Sequence, residues 1–287
     1  MKVIVTGASG QLGTDVMKHL HSAGICAVGA GHGELDITDE GAVLAFFEKE
    51  KPDAVIHCAA FTAVDKAESE RKRCYAVNVL GTRFVSKACE RCGAGLIYIS
   101  SDYVFGGKGD TPYETDGEKA PLNYYGQTKL EGEREALANC SRTFVVRTSW
   151  VFGVNGRNFV RSMLWLGSRK TEISVVDDQI GSPTFTDDLA ALLCDMVQTE
   201  RYGIYHATNE GFCSWADFAR DIMEQANLPA EILPIPSSQY PCDAKRPHNS
   251  RLSKASLTGA GFSLLPTWQD ALTRYLAEAE KEENANG

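Results

Sequence analysis

The sequence predicts an α/β fold: a doubly wound parallel sheet with helices on both faces, and a smaller part from the C-terminal half interleaved with it. Three observations carry this. Short, uniformly apolar segments alternate with helical patterns up to Trp150, and strands apolar on both faces belong to buried parallel sheets. The first of them, "KVIVT", runs directly into the glycine-rich turn "GASGQLG" and then a helix. Beyond Trp150 the alternation loosens without a linker or a repeat.

The elements follow in order. "KVIVT" is β-rich and apolar, and "TDVMKHLHSAG" after the turn has helical periodicity. "ICAVGA" is the second strand, "DEGAVLAFFEKEK" a helix with Thr38 expected as its N-cap, and "DAVIHCAA" the third strand. A long helix ends at "FVSKACERCG", "GLIYISS" is a strand, a helix begins near Tyr124, and "RTFVVRTSW" is a strand. Next come a strand and a Gly-Ser-Pro turn in "EISVVDDQIGSPTF", a helix in "TDDLAALLCDMVQ" and a short strand in "GIYHATN". "SWADFARDIMEQAN" reads as a helix with Ser214 and Asp217 as a capping box. "ILPIPSSQYPCDAKRPHNSRL" is proline-rich and irregular, and "TWQDALTRYLAEAEKEE" is a closing helix.

Composition narrows the class. The chain has 287 residues, 43% apolar and 23% charged, ordinary for a globular protein with a sizeable core. No apolar run approaches the ~20 residues of a membrane span, and the start enters a strand instead of a signal peptide, so a cytoplasmic protein without a membrane partner is expected. Nine cysteines lie mostly in hydrophobic segments, the usage of a reducing compartment. The pair Cys89 and Cys92 lacks further ligands at zinc spacing, and a helix end capped by Gly93 accounts for it better. A net charge of −9 with no basic stripe argues against nucleic acid.

The chemistry starts at the first turn. Gly7, Gly10 and Gly13, with Gln11 and Leu12 between them, follow a strand and open a helix, the context in which a glycine turn receives a pyrophosphate on free backbone N–H groups. A Rossmann-type dinucleotide-binding domain over residues 1–150 follows, with 151–287 mainly a substrate-binding part that interleaves with the sheet near 172–200. No carboxylate stands at the tip of the second strand before Glu34 and Asp36. NADPH is therefore expected, with NADH left open; Asp36 and Ile37 fall at the adenosine end, and Ala59 and Ala60 would let the cofactor pass. Thr62 and Val64 lie in a loop that by itself reads equally as solvated. Tyr125 and Lys129 stand at i and i+4, sharing one helix face. Alone they read as a surface pair; beside a dinucleotide, with Ser101 ending the preceding strand, they supply a hydroxyl, a phenol and an ammonium at one sheet edge. A nearby ammonium is expected to lower the phenol's pKa.

Ser–Tyr–Lys at such an edge resembles the short-chain dehydrogenases and reductases. "FTAVDKAES", "SSDYVFGGKGDTPY", "PLNYYGQTKLEGE", "VVRTSWVFG", "DDQIGSPTFTDDLA" and "RPHNSRL" resemble, in order and over nearly the whole chain, the dTDP-4-dehydrorhamnose reductases, an extended branch of that family. The resemblance implies reduction of a nucleotide-linked keto-sugar, with Ser101, Tyr125 and Lys129 as the catalytic set and Lys129 also holding the nicotinamide ribose. Tyr103 and Trp150 would then lie beside the sugar, Thr62 and Val64 beneath it, and Arg246, Asn249 and Arg251 near the substrate's nucleotide or phosphates. Many members carry Thr where this chain has Ser101; either hydroxyl can bond the substrate oxygen. Some relatives are thought to dimerise through a carboxylate-bound metal; Asp15 and Asp187 are the candidate equivalents but read as surface acids, so no metal is assigned and a homodimer stays open. Two rival readings remain: a non-catalytic regulatory subunit resembling the methionine adenosyltransferase β subunit, and a reductase of another nucleotide-linked keto-sugar.

Overall fold

The computed structural model describes residues 1–286. Its central sheet has six parallel strands in the order β2-β1-β3-β4-β5-β10: β1 Lys2–Thr6, β2 Cys26–Ala30, β3 Ala54–His57, β4 Gly95–Ser101, β5 Thr143–Thr148 and β10 Gly203–His206. Helix α1 (Gln11–Ser22) follows β1, α2 (Glu40–Glu50) follows β2, and α6 (Tyr124–Asn139) joins β4 to β5. Strand order reverses between β1 and β3, and the crevice at such a reversal is where ligands bind in doubly wound sheets.

Alternation along each strand builds two cores. Val3, Val5, Ile56, Ile97, Phe144 and Val146 face α1 and α8 (Thr186–Met196), while Ile4, Val55, Leu96 and Val145 face α2 and α5 (Thr82–Cys92). The short segment "GIYHATN" is the sixth central strand, paired in parallel with β5 from Gly203↔Phe144 to His206↔Arg147. The C-terminal half therefore returns to the sheet through α8 and β10. A separate core of Phe152, Phe185, Phe218 and Tyr275 unites α7 (Phe159–Gly167), α9 (Trp215–Gln225) and α11 (Trp268–Asn286) with the strand pair β7 (Glu172–Val176) and β12 (Glu231–Ile235).

Two local expectations change. Asp39, not Thr38, caps α2, its carboxylate accepting from Ala42 N at 3.0 Å; Thr38 is held back by its own bonds to Asp36. The long helix before β4 is segmented: α3 (Val64–Ser69), α4 (Arg71–Tyr75), a π-helical turn Ala76–Gly81, then α5. Such turns occur often at functional sites, and this one turns Asn78 inward. Its side chain accepts from Phe61 N (2.8 Å) and donates to Phe61 O (3.2 Å) and Thr128 Oγ1 (3.0 Å), fixing the loop after β3 against α6. The expected caps at Gly93, left-handed at φ 70°, and the Ser214–Asp217 box are present.

Beneath the crevice lies a buried ion pair. Arg147 on β5 donates to Glu133 on α6 at 2.8 and 2.7 Å, Ser100 Oγ donates to the same carboxylate at 2.5 Å, and Arg147 also donates to Thr115 O. Removing one partner of such a pair costs about 3–5 kcal/mol, because the other charge is left buried alone. The pair locks α6 onto β4 and β5 one turn below Lys129. Among the described residues no helix is long and apolar enough to cross a membrane.

Candidate active site

A single cleft of about 870 Å3 opens at the carboxyl edge of the sheet, along the reversal point. Gly7, Gly10, Gln11, Leu12, Gly13, Asp36, Ile37, Ala59 and Ala60 all line it, as do Thr62, Val64, Ser101, Tyr103, Tyr125, Lys129 and Trp150. Residues far apart in sequence thus converge on one volume, within the size range of small-molecule sites.

The glycines are required by close approach. Gly7 has φ 66°, and a Cβ there would stand 2.7 Å from Ala59 N; a Cβ on Gly13 would collide with Gly7 O. The turn therefore presses against the loop after β3, and α1 starts at Gly10 with no side-chain cap and no acidic residue in its first turn. Its free N–H groups and positive dipole end suit an anion. Gln11 does more than line the floor: its Oε1 accepts from Gly153 N and Asn158 Nδ2, both at 3.1 Å, and its Nε2 donates to Arg157 O at 3.2 Å. This tether brings Arg157 to the cleft wall. Arg157 and Arg73 are the two arginines lining the cleft; sequence gave no sign of either, since each arrives from a different loop or helix. On the cleft wall after β2, Asp36 accepts from Thr38 N and Oγ1, which hold its carboxyl below the ordinary range. Glu34 folds back over the tip of β2: a Cβ on Gly31 would meet Glu34 Oε2 at 2.8 Å and Ser9 Oγ at 3.1 Å.

Asn123 caps α6 by accepting from Gly126 N at 2.8 Å, setting the helix so that Tyr125, Lys129 and Glu133 form one stripe facing β4. Tyr103 meets Tyr125 edge to face, ring centroids 5.6 Å apart. Lys129 is buried, donates from Nζ to Ile99 O at 2.7 Å and lies 4.2 Å from the Tyr98 ring centre. Burial pushes Lys129 down from 10.5 to about 7, against a smaller upward pull from Glu133. Tyr125 departs from the expectation. Burial first, then the nearby Asp102 carboxyl, raise its pKa above the ordinary phenol value, while Ser101 lowers it. With Lys129 turned to Ile99 O, the phenol stays protonated, which is the state a proton donor needs. Ser101 ends β4 opposite Thr148 and caps the turn Asp102–Val104: its Oγ accepts from Tyr103 N at 3.2 Å and donates to Asp102 Oδ1 at 2.9 Å.

The far wall is aromatic. Trp150 adopts φ 49° and stacks on Trp215 with centroids 3.7 Å apart and planes 12° off parallel. A bulky residue in the left-handed region is a strained exception, here braced by the stack. The three C-terminal candidates are placed outside the cleft lining. Arg246 pairs with Asp65 at 2.7 and 3.2 Å. Asn249 is buried and donates to Lys108 O and Thr111 O. Arg251 donates to Asn249 Oδ1 at 3.0 Å and lies 5.8 Å from the Phe212 ring centre. Of the two carboxylates considered for a metal, Asp15 is not a surface acid: it is buried between α1 and α8 and accepts from Thr186 Oγ1. Asp187 is taken up by His19 at 2.9 Å and Lys18 at 3.4 Å.

Residues 1–281 match the family model described as RmlD substrate binding domain. The dTDP-4-dehydrorhamnose reductase of Mycolicibacterium smegmatis is 42% identical over 280 residues, 96% of this chain and 85% of that one. The chain belongs to the dTDP-4-dehydrorhamnose reductase family. The spore coat polysaccharide biosynthesis protein SpsK of Bacillus subtilis is 40% identical over 277 residues, 96% of this chain and 97% of its own. A crystal structure of dTDP-4-dehydrorhamnose reductase from Bacillus anthracis, in complex with NADP, superposes with a TM-score of 0.94 at 40% identity, covering 96% of this chain and 99% of that one. For a dTDP-4-dehydrorhamnose reductase the cleft has the parts a dinucleotide needs: a side-chain-free cradle at Gly7 and Gly13, an uncapped helix start and a buried ammonium.

Proposed function

We propose that this protein reduces the C4 ketone of dTDP-4-dehydro-L-rhamnose to dTDP-L-rhamnose, using NADPH and accepting NADH. The observation that carries the reading is the convergence of Ser101, Tyr125 and Lys129 with the glycine turn in one cleft. When bound, the reduced nicotinamide supplies the hydride. The chain's own residues do the rest. The turn Gly7–Gly13 and the start of α1 hold the pyrophosphate, with Arg157 adding a cation, and Ala59, Ala60, Asp36 and Ile37 flank the adenosine half. Lys129 holds the nicotinamide ribose; bonding to its hydroxyls takes the place of water lost on burial. Tyr125, protonated at neutral pH, donates its proton to the C4 oxygen as negative charge grows there. Ser101 hydrogen-bonds the same oxygen and stabilises that charge. Tyr103, Trp150, Thr62 and Val64 enclose the sugar, and Arg246 at the rim beside Asp65 is the C-terminal cation nearest to serving the substrate's phosphates.

The nine cysteines are all unpaired, which supports action in the reducing cytoplasm. A complete catalytic set around one cleft favours chemistry over the regulatory-subunit reading, which needs only the dinucleotide site. Mixing protein, NADPH and the keto-sugar tests this directly: reduced-nicotinamide absorbance falls and dTDP-L-rhamnose forms. Tight NADPH binding without turnover of any keto-sugar would favour the regulatory reading.

A further inference from the structure

Ser101 has one hydroxyl proton to give, and in this structure a carboxylate stands ready to take it. It is donated to Asp102 Oδ1 at 2.9 Å, while the hydroxyl oxygen accepts from Tyr103 N. A hydroxyl so engaged has nothing left to donate to a ketone oxygen. Asp102 itself lines the cleft, is only 2% exposed, and its second oxygen, Oδ2, is buried without a hydrogen-bond partner. A buried, half-satisfied carboxylate is costly, and a proton on it would relieve the cost.

We propose that Asp102 is a positioning residue whose protonation state aims the Ser101 hydroxyl: a neutral carboxylic acid donates to Ser101 Oγ and frees the Ser101 proton for the C4 oxygen, whereas the carboxylate keeps that proton for itself. One proton taken from solvent forms the O–H bond of the Asp102 acid; the Ser101–Asp102 hydrogen bond then reverses direction, a new one forms from Ser101 to the C4 oxygen, and the proton delivered to the product still comes from Tyr125. The proposal rests on the reductase reading and adds a residue to it. The surroundings agree. The groups facing Asp102 are Tyr103 on its own turn, Tyr125 from α6 and Ser250 from the segment after Arg246. The charges next beyond are Arg246 and Asp65, which act on Tyr103. Burial lifts the Asp102 carboxyl from 3.8 to about 6, opposed by the Ser250 hydroxyl beside it and by the bond from Ser101. The ionised form also raises the Tyr125 phenol, making it a poorer acid, so both effects favour reduction when Asp102 is neutral.

The test is Asp102→Asn, whose amide is a permanent donor toward Ser101. In single-turnover reduction with NADPH and the keto-sugar, the ratio of the variant's rate to the parent's cancels the titration of Lys129. That ratio is expected to be about tenfold higher above pH ~7 than near pH ~5, a fraction of the ~10²-fold worth of an oxyanion donor. Ser101→Ala, which leaves the carboxyl in place, should lose the larger part of the parent's rise in rate on the acid side and keep only what the Tyr125 phenol gains. An arm independent of substrate uses infrared difference spectroscopy: acidification of the parent should produce the carbonyl stretch of a buried protonated carboxyl, and Asp102→Asn should lack it. A ratio constant across pH, or an infrared signal unchanged in the variant, overturns the proposal. A parent that reduces no keto-sugar overturns the functional reading instead, and the infrared arm still reports on Asp102.

Discussion

Replacing Lys129 by Met should make the cofactor-free protein more stable while making it a poorer enzyme. Lys129 is 3% exposed and its pKa is pushed down from 10.5 to about 7, chiefly by burial. At about 1.4 kcal/mol per tenfold change in proton affinity, holding the charged form in the fold costs about 5 kcal/mol. The sign follows from linkage. Because the folded value is depressed, the stability associated with this group is present above 10.5 and is lost as pH falls toward about 7. Met carries no charge and matches the stem in length, so its variant escapes that loss but forfeits the bond to Ile99 O, worth about 1–2 kcal/mol. The net expectation is a gain of about 2–4 kcal/mol near pH ~6.5, shrinking as pH approaches ~10, the pattern of a site that trades stability for function.

Urea unfolding of cofactor-free parent and variant at both pH values reads this out. A variant less stable than the parent at pH ~6.5, or a difference that does not change with pH, would refute the reasoning. In the enzyme assay the same substitution should raise the NADPH Kd and lower kcat together. Unchanged cofactor affinity would mean that Lys129 does not hold the ribose.

Tyr125→Phe should abolish turnover with NADPH affinity nearly intact, measured by nicotinamide fluorescence; an equal kcat would remove Tyr125 as proton donor. Ser101→Ala should lower kcat ~10²-fold at neutral pH, whereas Ser100→Ala should keep kcat but lower the unfolding free energy by about 1–3 kcal/mol, since Ser100 donates to the buried Glu133 carboxylate. Trp215→Ala should raise the KM for the keto-sugar about tenfold, the scale of one lost aromatic stack, with a smaller change in kcat; the exciton signal of stacked indoles in circular dichroism should vanish in the same variant. Glu34→Gln should tighten NADPH binding several-fold and leave NADH nearly unchanged, because it removes the negative charge folded over the tip of β2; isothermal titration with each cofactor decides it, and an equal shift for both would deny Glu34 a part in selectivity.

Much of this was legible in the sequence because it rests on local rules. A glycine turn between strand and helix and an i and i+4 pair each carry their geometry with them, so the cradle and the Tyr125–Lys129 stripe could be read before any coordinates. What could not be read depends on partners remote in sequence. Arg157 reaches the cleft only because Gln11 tethers its loop across 146 positions, and Trp215 matters only because Trp150 is turned onto it. The resemblance implied that Arg246 and Arg251 lie near the substrate's nucleotide or phosphates; in space they bond Asp65 and Asn249, neither of which the string pairs with them. Ionisation is the extreme case. Lys129 beside Tyr125 suggested a phenol of lowered pKa, because attraction between neighbours is visible in spacing. Desolvation is not visible there, and at this site it outweighs the attraction: it lowers the lysine and raises the tyrosine, opposite to the usual rule for an ammonium beside a phenol. In the proposed reaction the raise has two sides: a phenol held above its ordinary value arrives protonated, and it gives that proton up more readily once the Asp102 carboxylate that helps to raise it is neutral.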